Sequence, residues 1–277
     1  MSARETHASI WGTTPAVLAV PCLYEGAVLQ AVAGGCRRPG GLELTDRALS
    51  LSALPRGSVV LDVGCADGLA VEHLTLRYGM LATGVDPSPV LLEEGHRHRP
   101  ELDLRQGRAE ELPFDDDSYD AVLAECSLSL ADEPARAVAE CARVLHPGGL
   151  LLVSDIYRRG RPDGLRALLD EHGFDVTTWE DQSGLLARLV WDIVEQHGSM
   201  AAFWAAVGVA APPADLGDRA DGRAEPARSR GLGGLGYCLC IARLGERAGG
   251  EAARAATIDE GQHAVNDERG RLAVSTS

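Results

Sequence analysis

The chain has 277 residues, 45% of them apolar, with 26 basic and 41 acidic side chains; this is enough apolar mass for a sizeable core, and the formal net charge of −15 argues against nucleic-acid binding. All 26 basic residues are arginine, which excludes Schiff-base chemistry and a lysine-bearing phosphate loop, and no run of ~18 apolar residues proceeds without charge, Gly or Pro, so no membrane span is expected. Seven scattered cysteines, an odd number in a chain long enough to fold without staples, read as reduced thiols in a cytoplasmic protein.

Residues 1 to about 45 combine polar turns with an apolar stretch, Pro15 to Val32, and close in the turn Arg38-Pro39-Gly40-Gly41, which reads as an N-terminal extension with a short helix. From Ser58 the pattern becomes regular: a buried-strand run Val59-Val60-Leu61-Asp62-Val63, a glycine loop at 64 to 68, and an apolar-periodic helix at 69 to 78. A second strand covers 81 to 86, and Pro87-Ser88-Pro89 opens the next helix, since proline is tolerated in a first turn. A third strand is expected near Leu102 to Gln106 and a fourth at Tyr119 to Glu125. A helix then starts near Pro134 and stops at His146-Pro147-Gly148-Gly149, before a fifth strand at Leu150 to Asp155. Beyond these come a helix at 163 to 173, a strand at Phe174 to Trp179, an amphipathic helix at Leu185 to His197, an aperiodic and mobile loop at 212 to 234, and a last strand at Gly236 to Arg243. Residues 245 to 277, nearly devoid of large apolar groups, read as a disordered tail. Strands alternating with helices imply parallel pairing through right-handed crossovers, hence a doubly wound α/β sheet over 46 to 244, with an insert and mobile loop at about 180 to 234. Ligands of such a sheet sit at the carboxyl ends of its strands.

The informative chemistry lies in Val60-Leu-Asp-Val-Gly-Cys-Ala-Asp-Gly68 and Gly84-Val-Asp86. A glycine turn between strand and helix lets a ligand approach the backbone closely, and an acid ending the second strand can accept both hydroxyls of a ribose. The dinucleotide fingerprint is absent, because Ala66 stands between Gly64 and Gly68 and Asp67 lies inside the loop. A pyrophosphate would be repelled by Asp62 and Asp67, whereas a cationic ligand bearing an amino acid would not.

These motifs, followed by Gly107-Arg-Ala-Glu-Glu-Leu-Pro-Phe114, Asp117-Ser-Tyr-Asp-Ala-Val122 and Arg143-Val-Leu-His-Pro-Gly-Gly149, resemble the class I S-adenosylmethionine-dependent methyltransferases over about residues 56 to 157. The likeness is greatest to the small-molecule branch typified by ubiquinone and menaquinone biosynthesis methyltransferases. The resemblance implies a Rossmann-like, mostly parallel seven-stranded sheet, S-adenosyl-L-methionine as the cofactor and a small-molecule methyl acceptor as the partner. It assigns Gly64, Cys65 and Ala66 to the methionine and ribose parts, Asp62 to the ammonium, and Asp86 with the neighbouring Pro87 to the ribose side. Arg108, Ala109 and Glu110 would flank the adenine; many relatives have an aspartate where this chain has Arg108, so Glu110 is the candidate for the adenine amino group. Glu125 would lie near the methyl group and, with Cys126, supply the catalytic candidates. The acceptor pocket would draw on the N-terminal extension as a substrate cap, the loop after the fourth strand and the late insert, which points to Tyr24, Ser127, Ser129 and Asp181.

Plainer roles compete. Cys126 can equally be a small buried filler, and Cys238 and Cys240, on one face of the last strand, are core residues by default, although with Cys126 they leave open a thiol- or metalloid-directed reaction. Asp115-Asp116-Asp117 reads as a solvated turn rather than a metal site, and no metal is expected. A non-catalytic module that binds S-adenosylmethionine would share the same ribose site.

Overall fold

The computed structural model describes residues 21–159, 163–208 and 235–246. The expected loop at 212 to 234 lies outside the described residues, as does all of the expected tail beyond residue 246. Three helices come first: α1 (Pro21–Glu25), α2 (Ala27–Val32) and α3 (Gly41–Ser52). The alternating core then runs β1 (Val59–Val63), α4 (Leu69–Tyr78), β2 (Leu81–Asp86), α5 (Pro89–His98), β3 (Asp103–Gln106), β4 (Tyr119–Glu125), a 3-10 turn (Leu128–Leu130), α6 (Pro134–Val144) and β5 (Leu145–Arg158). It ends with α7 (Asp163–Glu171), β6 (Phe174–Asp181), α8 (Ser183–His197), α9 (Met200–Ala206) and β7 (Leu235–Leu244).

The strands form one sheet in the order β3-β2-β1-β4-β5-β7-β6. β1 pairs in parallel with β2 and β4, and β4 with β5, whereas β7 is antiparallel to both β5 and β6. The sheet is thus doubly wound and mostly parallel. Its central strands are buried on both faces by the apolar stripes of flanking helices, as α6 shows with Ala137, Val138, Cys141 and Val144 all buried. Winding reverses between β1 and β4, so the crevice of the sheet opens at the ends of β1, β2 and β4.

Two expectations need correction. His146-Pro147-Gly148-Gly149 is not a loop between helix and strand: β5 begins at Leu145, directly after α6, and the pairing with β4 skips between Tyr119 and Ala121, the irregularity of a bulge. Gly148 at φ +80° provides the kink there. Among the described residues, the N-terminal extension holds two short helices, α1 and α2, with α3 beginning near its end, rather than one short helix. Leu23, Leu29 and Val32 of α1 and α2 pack with Ile193 of α8 and with Met200, Phe203 and Trp204 of α9 as a second apolar cluster. Helices at 21–32 and at 183–206 therefore build one cap. Among the described residues, no helix is long and apolar enough to cross a membrane.

Candidate functional site

A cavity of about 450 Å³ lies at the ends of β1, β2 and β4, beneath the cap. Its floor is the turn after β1, where Gly64, Ala66 and Gly68 have φ of +82°, +50° and +80°. Glycine is required at 64, since a Cβ would also come within 2.6 Å of the Ser127 Cβ. Asp86 fastens this turn: its Oδ2 accepts from the Ala66 amide at 2.9 Å and its Oδ1 from the Ser88 amide at 2.8 Å. It caps the turn into α5, yet its carboxylate also lines the cavity, with capacity for further donors. Burial raises its pKa despite the two backbone bonds.

Asp62 is 3% exposed and lines the cavity, and its carboxylate makes no hydrogen bond or ion pair among the described residues. Burial first, then the nearby charges of Glu125 and Asp86, push its carboxyl up to about 8, with Arg38 opposing. An acid held this way favours a cation entering beside it. Cys65 is buried in the same wall, and its thiol is pushed well above its ordinary range, chiefly by burial.

Glu125 ends β4 and also lines the cavity, but its carboxylate is engaged. It pairs with Arg38, accepts from Thr45 Oγ1 at 3.1 Å, and lies 3.4 Å from Ser154 Oγ. The preceding arginine, Arg37, is a clamp: its guanidinium reaches Asp67 at 3.0 Å and Glu94 at 3.0 Å and donates to the Tyr24 carbonyl at 2.8 Å. Ser88 Oγ adds a bond to Glu25 at 2.7 Å. These contacts fix α1 and the following turn to the glycine loop and to α5. Sequence reasoning singled out neither arginine. The available signal was two adjacent cations just ahead of a helix in a chain of net charge −15.

On the far side, Pro87, Arg108, Ala109 and Glu110 line the same cavity. Arg108 Nη2 contacts Asp132 at 2.6 Å and Glu110 at 3.4 Å, while Glu110 Oε1 accepts from the Asp132 amide at 2.7 Å and the Glu133 amide at 3.3 Å. Glu110 thereby ties this segment to the entrance of α6.

The acceptor candidates separate. Tyr24, Cys126 and Ser127 line the large cavity, and Ser127 Oγ is buried there without a hydrogen-bond partner. Cys126 sits at φ +56°, a strained conformation for a residue with a Cβ, its amide donating to the Ser154 carbonyl at 2.7 Å. Its thiol is 3.4 Å from the Tyr237 hydroxyl, and burial pushes its pKa up, so it is held as a thiol rather than a thiolate. Ser129 lines a second, smaller cavity and is bound to Asp155. Asp181 belongs to neither cavity: it is exposed at the end of β6 and accepts from the amide and hydroxyl of Ser183, starting α8. A carboxylate two residues before a helix is captured by that helix's free amides, which is why it is not available to an acceptor. Cys238 and Cys240 also lie outside both cavities, buried in β7, with the Cys240 thiol pushed up to about 12 by burial.

Comparison with known proteins agrees with this geometry. Residues 61–153 match the family described as "Methyltransferase domain". The demethylmenaquinone methyltransferase of Renibacterium salmoninarum is 39% identical over 106 residues, 38% of this chain, and the match spans 44% of that relative's length. Among solved structures, the [4+2]-cyclase SpnF superposes with a TM-score of 0.64 at 25% identity, covering 81% of this chain and 94% of its own. A Haemonchus contortus phosphoethanolamine N-methyltransferase 2 in complex with S-adenosyl-L-methionine gives 0.61 at 15% identity, covering 89% and 60%. The motif order, the winding of the sheet and the acid-ended second strand converge with these matches: residues 61–153 form a methyltransferase domain.

Proposed function

We propose that the large cavity binds S-adenosylmethionine and that the chain transfers the methyl group to a small-molecule acceptor by in-line displacement. The observation that carries this reading is Asp62, a buried acid without a hydrogen-bonded partner, beside Asp86 at the next strand end. A ligand with one cationic amino group and a ribose diol matches that pair, and the unpartnered Ser127 Oγ and Arg38 Nε offer further polar atoms in the same wall. When bound, the donor supplies a methyl group made electrophilic by its sulfonium.

The residues then have separate duties. Asp62 receives the ammonium, and the water-poor setting strengthens that attraction. Asp86 accepts the ribose hydroxyls while holding the glycine turn in shape through Ala66. Arg38, already beside Glu125, suits the donor's carboxylate, which leaves Glu125 as a positioning partner of Arg38 and Thr45 rather than a free base. Pro87, Arg108, Ala109 and Glu110 form the slot for the adenine. The cap held by Arg37 keeps water out and fixes the approach of the acceptor, and orientation of that kind contributes most of the rate in such transfers. A thiol- or metalloid-directed site finds little support, because Cys238 and Cys240 face neither cavity and Cys126 stays protonated. The likeness to a protein named as a [4+2]-cyclase favours, as a second reading, a reaction other than methyl transfer in the same cavity.

Calorimetry with S-adenosylmethionine tests binding. Asp86→Ala is expected to weaken it by roughly 10- to 100-fold, the loss of one or two charge-assisted hydrogen bonds. Unchanged affinity would refute the assignment. Appearance of S-adenosylhomocysteine only when small-molecule extract is added separates transfer from mere binding.

A further inference from the structure

Six residues of the stretch 24–38 close over the large cavity: Tyr24, Glu25, Gly35, Cys36, Arg37 and Arg38 line it from the side of the cap, with Gly64 and Ala66 in the floor. This roof is held in two different ways. Toward the cap, α1 and α2 are joined to α8 and α9 by apolar packing, through Leu23, Leu29, Val32, Ile193 and Phe203. Toward the floor, the bonds that tie it down are polar: Arg37 meets Asp67 and Glu94, each at 3.0 Å, Glu25 accepts from Ser88 Oγ at 2.7 Å, and Arg38 pairs with Glu125. Arg37 stands in a row of alternating charges. Asp67 is also met by Arg99, at 3.7 Å through its carboxylate and 3.3 Å through its carbonyl, and Arg99 pairs with Glu72 of α4 at 2.8 Å. Deleting one member of such a pair strands the other, but parting the two into water lets both regain hydration and changes the free energy little. Lifting α1 and α2 off α8 and α9 would instead expose apolar surface, so the polar seam is where the roof separates most readily.

We propose that Asp67, Arg37 and Glu94 form a salt-sensitive latch: the roof opens along this seam, with α1 and α2 staying packed on α8 and α9, and the donor enters and leaves only while Arg37 is parted from both acids. The proposal rests on the donor reading above and concerns how that ligand exchanges. The floor does not depend on the latch, because Arg99 holds the Asp67 carbonyl and Asp86 holds the Ala66 amide whether or not Arg37 is in place. Opening therefore moves the roof and leaves the glycine turn in its binding shape. Glu94 lines neither cavity, and its side chain is 24% exposed, so dissolved ions reach the latch there. It is a positioning residue that acts on the donor through Arg37.

The probe is S-adenosylhomocysteine, which carries no net charge at neutral pH and so is not itself steered by the field of the protein. Association and dissociation of the tritiated compound are timed by rapid filtration on the full chain between about 0.1 and about 1 M NaCl, where the Debye length shrinks from ~10 to ~3 Å. Both rates are expected to rise about threefold, as for one partly screened ion pair, while their ratio changes by less than about twofold. Glu94→Gln should be about threefold faster in both directions already at the lower salt, with its response to salt about halved. Arg47→Gln breaks the exposed pair with Glu180, outside both cavities, and should change neither rate. A binding site that is merely loosened loses affinity through faster dissociation alone, so the paired change is what marks a latch. Rates indifferent to salt, an effect of Glu94→Gln confined to one of the two rates, or equal acceleration by Arg47→Gln would each overturn the proposal. Failure of S-adenosylhomocysteine to bind at any salt concentration would refute the donor reading instead.

Discussion

Asp62→Asn isolates the electrostatic feature on which the donor site depends. Folding moves this carboxyl from an ordinary value of 3.8 to about 8, because burial, Glu125 and Asp86 outweigh the attraction of Arg38. At 1.36 kcal/mol per unit, the ionised side chain would cost the free protein at most about 6 kcal/mol. Asparagine keeps the shape and removes the charge but is itself a buried polar group, so we expect recovery of roughly 1–3 kcal/mol, or a rise in Tm of about 2–4 °C for each of them. The sign follows from linkage. Below about pH 4 the group is protonated in both folded and unfolded chains and the substitution is neutral; between 4 and 8 the folded state binds the extra proton, so wild-type stability falls as pH rises. The advantage of the variant should therefore grow from pH 4 to pH 8 and level off above it, while its affinity for S-adenosylmethionine drops. Thermal melts followed by circular dichroism across that range decide the matter. A variant less stable than wild type at pH 8, or an advantage independent of pH, would mean that Asp62 already has its counter-charge and would remove the argument for a cationic ligand.

Other consequences are as direct. Donor binding should release close to one proton near pH 7, because a cation beside Asp62 brings its pKa down from about 8, and the release should vanish well above pH 8; calorimetry in buffers of different ionisation enthalpy measures it. Arg37→Ala leaves the buried Asp67 carboxylate with only the longer contact to Arg99 at 3.7 Å and should cost about 2–3 kcal/mol of stability in denaturant titrations, part of which Asp67→Asn restores. Gly64→Ala places a Cβ 2.6 Å from the Ser127 Cβ at φ +82° and should abolish donor binding, with only a moderate fall in Tm.

Local pattern alone determined β1, α4, β2 and β4 to their observed ends, because each carries its apolar residues at a single period and the first three end directly before a glycine or proline. The same holds for the cavity floor: a glycine turn after one strand and an acid ending the next are neighbours in space because adjacent parallel strands put their ends together, as the register of Val63 with Val85 shows. What the tertiary structure decided has no local signature. β7 inserts between β5 and β6 through antiparallel pairing that connects distant segments. Arg38 meets Glu125 across 87 positions of sequence, and Arg37 meets Glu94 across 57, so their roles depend on where the cap comes to rest. The cap itself joins helices at 21–32 to helices near residue 200, since neither amphipathic pair could bury its apolar face alone. Asp181, chosen from its neighbourhood in sequence, is instead bound to the start of α8, and Asp155, silent within an apolar strand, becomes the buried acid of the second cavity once β5 lies beside the 3-10 turn that carries Ser129. Strand and turn signals act over a few residues, whereas the charge state and partner of a buried side chain depend on everything packed around it, and that is where sequence and structure part company.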